Sequence, residues 1–170
     1  HHAYFAACPK GLERVLADEL RGIGAEGVEE GLGGCSFGGG RRVGYEAILW
    51  LRTANRVMEC IATDDCVNSP EDLYDFIYEI DWLRYLPADP SDPASVEHCT
   101  LAVDVGLGQV PDALCHSHFT GLTVKNAIAD QIRRRCGARP SVDLDMPLLP
   151  LYLHLHRGEA WLYRSLGGHQ

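Results

Sequence analysis

The order of apolar patterns in the first 63 residues constrains the fold of this chain more than any other feature of its sequence. Short apolar runs alternate with stretches in which apolar residues recur every three or four positions, and these patterns indicate strands and amphipathic helices, respectively. Gly33 and Gly34 separate two of the runs, which predicts a β-hairpin. The predicted elements are a strand at residues 3–8, a helix at 10–23, strands at 26–32 and 35–37, a helix at 41–51 and a strand at 55–62.

This order, βαββαβ, is that of a ferredoxin-like domain, which we expect to close near residue 63. In the second of its two helices, the apolar spacing places Tyr45, Ile48 and Leu49 on the side that faces the sheet. The first part of the chain is therefore expected to form a small domain in which each helix buries one apolar face.

A second unit follows a polar joint at residues 64–70. Pro70 suits the first turn of a helix, and two acidic residues follow it at the positive end of the helix dipole. The longest helical pattern spans residues 120–136 and ends at Gly137. Further strands are predicted at residues 100–105, 151–156 and 159–163, the last two joined as a hairpin through Arg157 and Gly158. The fold class is therefore α+β, in two small units.

The cysteines and the apolar runs indicate the environment of the protein. Seven cysteines are scattered singly, with no Cys-x-x-Cys pair, which is unlike a secreted disulfide framework. We therefore expect a reducing compartment, either the cytoplasm or an organelle interior. No apolar run approaches the roughly 18 residues that a membrane-spanning helix needs, so no membrane is expected among the partners.

Net charge is distributed unevenly along the chain, although its total of −9 argues against nucleic-acid binding. Residues 66–112 carry ten acidic side chains and one basic side chain, whereas residues 113–170 carry seven basic and four acidic ones. Only the last third of the chain can therefore offer a positive surface.

Three patterns that suggest catalysis or metal binding are better explained as ordinary structure. The glycine-rich stretch at residues 31–40 lacks the Gly-Lys-Ser/Thr ending of a phosphate-binding loop. The segments 115–118 and 154–156 contain histidine and cysteine but match no zinc-site spacing. No local signature around any cysteine marks a nucleophile paired with a histidine base. We therefore expect neither catalytic residues nor metal ligands in this chain.

The basic residues of the last third gather on and just beyond the longest predicted helix. At its C-terminal end they complement the helix dipole, which is a purely structural explanation. Arginine side chains also match the geometry of phosphate oxygens, and an aromatic ring near them can stack on an unpaired base. The candidates are Lys125, Arg133, Arg134, Arg135 and Arg139, with Phe119 or Trp161 as the stacking ring. The residues alone thus indicate a two-part α+β binding module with RNA as its candidate ligand.

Several separate blocks of this sequence, in the same order along the chain, resemble one family of RNA-modifying enzymes. The main blocks are FAACPKGLERVLADEL at residues 5–20, GGCSF at 33–37, ILWLRTANRVM at 48–58, FTGLTVKNAIAD at 119–130 and RPSVD at 139–143. They are similar to the opening region of bacterial-type large-subunit rRNA guanine-N2-methyltransferases that carry a THUMP domain. The chain departs from the family pattern at Asn126, where the family has aspartate, and in the looser stretch 162–168.

The resemblance implies a ferredoxin-like N-terminal domain at residues 3–63 followed by a THUMP domain at residues 66–166. It also implies that the chain binds structured RNA, in particular large-subunit rRNA, and presents the target nucleotide to a methyltransferase domain that follows. That catalytic domain, which uses S-adenosylmethionine, is absent from this chain. The chain itself is therefore expected to have no cofactor and no methyltransferase activity.

The resemblance also assigns some of the candidate residues by position. Lys125, Arg139 and Pro140 fall in the motif that is expected to lie near RNA. The three arginines at residues 133–135 and Phe119 match no such motif, and their assignment as candidates depends on their charge and on the aromatic ring.

Three functions follow from these observations. The leading hypothesis is an RNA-binding module of an S-adenosylmethionine-dependent rRNA guanine-N2-methyltransferase. The alternative is a free-standing THUMP protein without catalysis that acts in ribosome assembly or on ribosomal particles. The third is an acidic protein-interaction module that uses residues 66–112 to bind a basic partner.

Overall fold

The computed structural model describes residues 1–168, and its contacts separate the chain into two compact units. The first comprises His1–Ile61 together with the stretch that begins at Tyr163, and the second comprises Ala62–Leu162. Both units combine helices with a β-sheet, which confirms the α+β class.

The first unit has the expected ferredoxin-like arrangement. Its elements are β1 (His2–Ala7), α1 (Glu13–Gly22), β2 (Glu26–Gly31), β3 (Gly34–Gly39), α2 (Arg41–Trp50) and the first part of β4 (Arg56–Asp64). Strand β1 is central and pairs antiparallel with both β3 and β4, while β2 pairs with β3. Gly33 makes the turn of the β2–β3 hairpin at a φ of 78°, a conformation that glycine adopts without steric cost.

The core of the first unit lies between its sheet and its helices. Leu16 and Leu20 form the buried stripe of α1, as the three- and four-residue spacing of apolar residues predicts, whereas Leu12 and Val15 of the same pattern are exposed by 41% and 50%. Tyr4 of β1 and Phe37 of β3 stack with their ring centroids 5.3 Å apart, and both are buried.

Helix α2 is rotated relative to the prediction. Its buried face is made by small residues, and a Cβ at Gly44 would lie only 2.8 Å from Cε1 of Tyr4. The helix therefore approaches the sheet closely at this glycine. Tyr45 and Leu49 are exposed by 63% and 74%, so the prediction that they face the sheet was wrong. Ile48 is 36% exposed and lies against Gly167 of the same unit, where an added Cβ would be 3.2 Å from its Cγ2.

The second unit is built around the longest helix of the described residues. Its elements are α3 (Pro70–Tyr78), β5 (Thr100–Leu107), α4 (Ser117–Cys136), β6 (Ser141–Val142), β7 (Leu149–His156) and the first part of β8 (Glu159–Gly168). The strands follow the order β8-β7-β5-β6, and β5 runs parallel to both β6 and β7. Helix α4 packs against α3 and β5. Among residues 1–168, no helix combines the length and apolar character that crossing a membrane requires.

The ends of these elements follow the sequence where it contains a specific capping residue. Ser69 accepts a hydrogen bond from the backbone N–H of Asp72 at 3.1 Å and so caps α3, while Gly137 ends α4 at a φ of 83°. The predicted hairpin between β7 and β8 is confirmed, with Arg157 and Gly158 at positive φ. Helix α4 begins three residues before the predicted start. The prediction missed this first turn because no side chain caps the N-terminus of α4, so the sequence contains no start signal there.

Candidate nucleic-acid interface

Helix α4 carries most of the candidate RNA-binding residues and has a buried and an exposed side. Its buried side is apolar, and Ile132 is fully buried there. On the exposed side, Phe119, Asn126 and Arg133 recur every seven residues and so lie along one line, about 21 Å from first to last. We call these three residues, together with the adjacent Lys125, the α4 ridge. The ridge is polar and positively charged and ends in an aromatic ring.

Phe119 is held at the N-terminal end of the ridge by two imidazoles. The ring of His116 meets it edge-on at 5.9 Å and 89°, and the ring of His118 at 5.6 Å and 65°. Phe119 nevertheless remains 64% exposed. The ring is therefore accessible to a ligand, and its stacking on an unpaired base stays a prediction.

The two cations of the ridge make no ion pair within residues 1–168. Lys125 is half-buried and Arg133 is exposed. Eight residues of helix separate them, which is about 12 Å along the axis. Their charges are therefore open to an anionic ligand at two separate points.

Arg139 has a different environment, in an open cleft of about 560 Å³ between α3 and α4. Its guanidinium lies 3.7 Å from Oδ1 of Asp130, and the hydroxyl of Tyr74 donates to Oδ2 of the same carboxylate at 2.6 Å. This hydrogen bond, with burial, raises the pKa of Tyr74 to about 12. We call this space the α3–α4 cleft; its lining residues are Pro70, Glu71, Tyr74, Asp75, Thr123, Asn126, Asp130 and Arg139.

Two of the three arginines at the end of α4 also have partners in their own unit. Arg134 donates to the hydroxyl of Tyr78 at 3.2 Å, and Arg135 pairs with Asp81 at 2.5 Å. The Arg135 guanidinium lowers the pKa of the Asp81 carboxyl. These contacts connect the last turn of α4 to the last residue of α3 and to the segment that follows it, so part of the charge of this cluster is already balanced.

The structure therefore divides the candidate residues into three groups. Phe119, Lys125 and Arg133 lie on the α4 ridge, and Arg134 and Arg135 are anchored at its end. Arg139 lies in the α3–α4 cleft beside the half-buried Pro140. Their role in RNA binding stays a prediction, but the geometry separates available from engaged cations. Trp161 lies on β8, where its ring packs 5.4 Å from that of His154.

Sequence reasoning missed the buried amide that positions α4 against the segment after α3. Gln131 is buried, with 8% of its surface exposed. Its Oε1 accepts a hydrogen bond from the backbone N–H of Trp82 at 3.1 Å. Its Nε2 donates to the carbonyl oxygens of Tyr78, at 2.6 Å, and of Ile80. The only available indication was a polar residue on the apolar side of the helical pattern.

The histidine-containing segments are used locally. Nδ1 of His156 accepts from the backbone N–H of Gln109 at 2.9 Å, and burial lowers the pKa of His154. Within the described part of the chain, no group of three or more histidine, cysteine or acidic side chains is arranged to hold a metal ion.

Comparison with known proteins gives two family matches. Residues 3–58 match the RlmL ferredoxin-like domain, and residues 67–164 match the THUMP domain. A protein named ribosomal RNA large subunit methyltransferase K/L from Syntrophotalea carbinolica is 39% identical over 97% of this chain, but the match covers 22% of that relative. The chain thus spans about a fifth of the length of the curated relatives it matches.

Solved structures share the fold. A predicted N6-adenine-specific DNA methylase from Listeria monocytogenes aligns with 99% of this chain at a TM-score of 0.79 and 20% identity, and 41% of that protein is covered. A 4-thiouridine synthetase, solved with RNA and ATP, aligns with 96% of this chain at a TM-score of 0.56 and 11% identity, over 40% of its own length. At these identities the similarity concerns the fold alone.

Proposed function

This chain belongs to the THUMP family, and from that premise we propose that it is the RNA-binding and substrate-presenting module of a large-subunit rRNA guanine-N2-methyltransferase. The observation that carries the proposal is the 39% identity to a large-subunit rRNA methyltransferase over 97% of the chain. The THUMP match contains both the α4 ridge and the α3–α4 cleft. The catalytic domain belongs to the part of the longer protein that this chain does not cover.

In this proposal the α4 ridge makes the first contacts with RNA. Lys125 and Arg133 bind two phosphates of the backbone, because neither cation forms an ion pair within residues 1–168. Phe119 stacks on a base that is unpaired in the folded RNA. Phosphate contacts of this kind fix the position of the RNA and carry little sequence information, which suits a module that presents a nucleotide to another domain.

Arg139 joins the interface only by exchanging its partner. Its ion pair with Asp130 is partly exposed, and exposed pairs contribute little to stability. A phosphate can therefore replace the carboxylate at small cost. Glu71 and Asp75 also line the α3–α4 cleft, so we expect RNA to approach Arg139 from the rim of the cleft and not to fill it.

Methyl transfer requires S-adenosylmethionine, and we assign its binding to the remainder of the longer protein. The role of residues 1–168 is to hold and orient RNA. All seven cysteines are free thiols, which supports a reducing compartment such as the cytoplasm or an organelle interior.

The test is methyl transfer from labelled S-adenosylmethionine to large-subunit rRNA by the full natural polypeptide that includes this chain. In the double variant Lys125→Glu/Arg133→Glu, we expect the KM for rRNA to rise about tenfold, equivalent to about 1.4 kcal/mol. The KM for S-adenosylmethionine should not change. Arg14→Glu/Arg21→Glu, on the exposed side of α1, makes the same change in net charge and serves as the control.

Two results would contradict the proposal. The first is a full polypeptide that transfers no methyl group to rRNA. The second is a natural polypeptide no longer than this chain that binds ribosomal particles, which would favour the free-standing THUMP protein.

A further inference from the structure

The outer side of α2 exposes an apolar surface that RNA binding by α4 does not explain. Tyr45, Ile48 and Leu49 lie on one side of the helix, and Trp50 ends the helix beside them with 69% of its surface exposed. We call these four residues the α2 patch. Clustered exposed apolar side chains of this kind mark interaction sites in soluble proteins.

The last strand of the first unit passes directly beside this patch. A Cβ built at Gly167 of β8 would lie 3.2 Å from Cγ2 of Ile48. Gly167 and Ile48 belong to the same compact unit. Polypeptide that continues beyond β8 therefore emerges next to the α2 patch.

We propose that the α2 patch is the docking surface for the remainder of the same polypeptide, the region that the longer relatives have and this chain lacks. This inference rests on the proposed function, since it requires a longer protein. The chain covers 22% of its methyltransferase relative and 41% of the Listeria methylase structure, so a large further region is present in both.

The size of the patch favours a tethered partner over a second copy of the chain. Stable association between separate proteins buries about 1,200–2,000 Å² in total, or about 600–1,000 Å² on each partner, and four side chains of one short helix reach at most the low end of that range. A covalently linked domain has an effective concentration of about millimolar, so a small apolar contact is sufficient to hold it.

The chemistry of the patch also favours protein over RNA. The side chains of Ile48 and Leu49 have no hydrogen-bonding groups, and the charge of Arg42 is balanced by Glu46 at 2.9 Å. Arg41 and Arg52 lie exposed at the edge of the patch, where they suit a partner with an acidic rim.

Hydroxyl-radical footprinting of Tyr45, Leu49 and Trp50 tests this directly. Labelling is compared between the 170-residue chain and the full natural polypeptide, both without RNA. We expect labelling of the three side chains to fall at least threefold in the full polypeptide. Leu32, which is exposed in the β2–β3 turn, should label equally in both and serves as the internal control.

Each other outcome overturns the inference. Equal labelling of the patch in both proteins would mean that no other region of the full polypeptide covers it. Protection that appears only when large-subunit rRNA is added assigns the patch to RNA, and protection of the 170-residue chain that grows with its concentration assigns it to a second copy.

A variant pair separates this inference from the proposed function. Leu49→Asp/Trp50→Asp should restore labelling of Tyr45 in the full polypeptide, whereas Leu32→Asp should not. Loss of rRNA methylation in Lys125→Glu/Arg133→Glu, with protection of the patch unchanged, would show that the two surfaces act separately. If the full polypeptide methylates rRNA and the patch is still labelled, the docking inference fails and the proposed function stands.

Discussion

Apart from Phe119 in its first turn, helix α4 buries most of its large apolar side chains and exposes polar and charged ones, whereas α2 buries small residues and exposes large apolar ones. The stretch that forms α4 has few apolar residues, but Val124, Ile128 and Ile132 are all fully buried. Tyr45 and Leu49 of α2 are large and apolar, yet most of their surface is exposed. The same kind of residue thus has opposite surroundings in the two units.

The difference shows which helix has its large apolar side chains buried within its own unit. Helix α4 is covered on its apolar side by β5 and α3, so its outer surface is left for a polar ligand. Helix α2 meets its sheet through Gly44 and leaves apolar surface outside, so it is completed only by a further partner.

The largest expected difference in the free energy of unfolding is between truncating a buried apolar side chain of α4 and truncating an exposed one of α2. Ile132→Ala creates a cavity in a fully buried site and should lower the free energy of unfolding by about 2–5 kcal/mol. Leu49→Ala removes an exposed side chain and should change it by less than about 0.5 kcal/mol in the 170-residue chain. Urea denaturation of both variants measures the difference. A cost above 2 kcal/mol for Leu49→Ala would mean that α2 is packed within its own unit.

Removing the buried amide of α4 should have the next largest effect. Gln131→Leu keeps the approximate volume but leaves the backbone N–H of Trp82 and the carbonyl of Tyr78 without partners. Unsatisfied buried groups cost about 1–3 kcal/mol, so the variant should be destabilised by that amount. Asn126→Leu, on the exposed side of the same helix, is the control and should be nearly neutral. Equal thermal unfolding of the two variants would contradict this account.

The smallest effect is expected at the Tyr74–Asp130 hydrogen bond. Tyr74→Phe removes it and keeps the ring contact with Tyr78, so the loss should be about 1 kcal/mol near neutral pH. The pKa of Tyr74 is about 12 in the folded state, against an ordinary value of 10.0. The hydrogen bond therefore contributes its full stabilisation below pH 10. Between pH 10 and 12 this stabilisation declines, because Tyr74 loses its proton in the unfolded state before it does so in the folded state, and above pH 12 it is absent. Denaturation of wild type and Tyr74→Phe at pH 8 to 12 should show their stabilities converging at the high end; a constant difference would contradict the assignment.

Local patterns were sufficient to predict most of the fold. The βαββαβ order of the first unit and the hairpin at Arg157 and Gly158 follow from apolar periodicity and turn residues, which act over a few positions. The rotation of α2 could not be predicted in this way. It depends on how closely Gly44 approaches Tyr4, forty residues earlier in the chain, and that contact overrides the apolar spacing.

The candidate site shows the same limit. The sequence identified α4 as the basic element and named its cations individually. It could not show that Arg134 and Arg135 meet Tyr78 and Asp81, because these partners lie more than fifty residues away in sequence. The distinction between available and engaged cations therefore emerged only from the tertiary structure.

RNA binding by matched charge variants tests the central claim most directly. Lys125→Ala/Arg133→Ala removes the two ridge cations, and Arg134→Ala/Arg135→Ala removes the two anchored ones, with the same change in net charge. The affinity of each for a large-subunit rRNA fragment is measured over a range of salt concentrations, after thermal unfolding has established that both are folded. We predict that the ridge variant binds more weakly and that its slope of log K against log salt falls by about 1.4–1.8 units, since each phosphate contact contributes about 0.7–0.9. The anchored variant should lose less than about half of that. Equal losses in the two variants, or binding by the wild-type chain that does not depend on salt, would contradict the assignment of the α4 ridge to RNA.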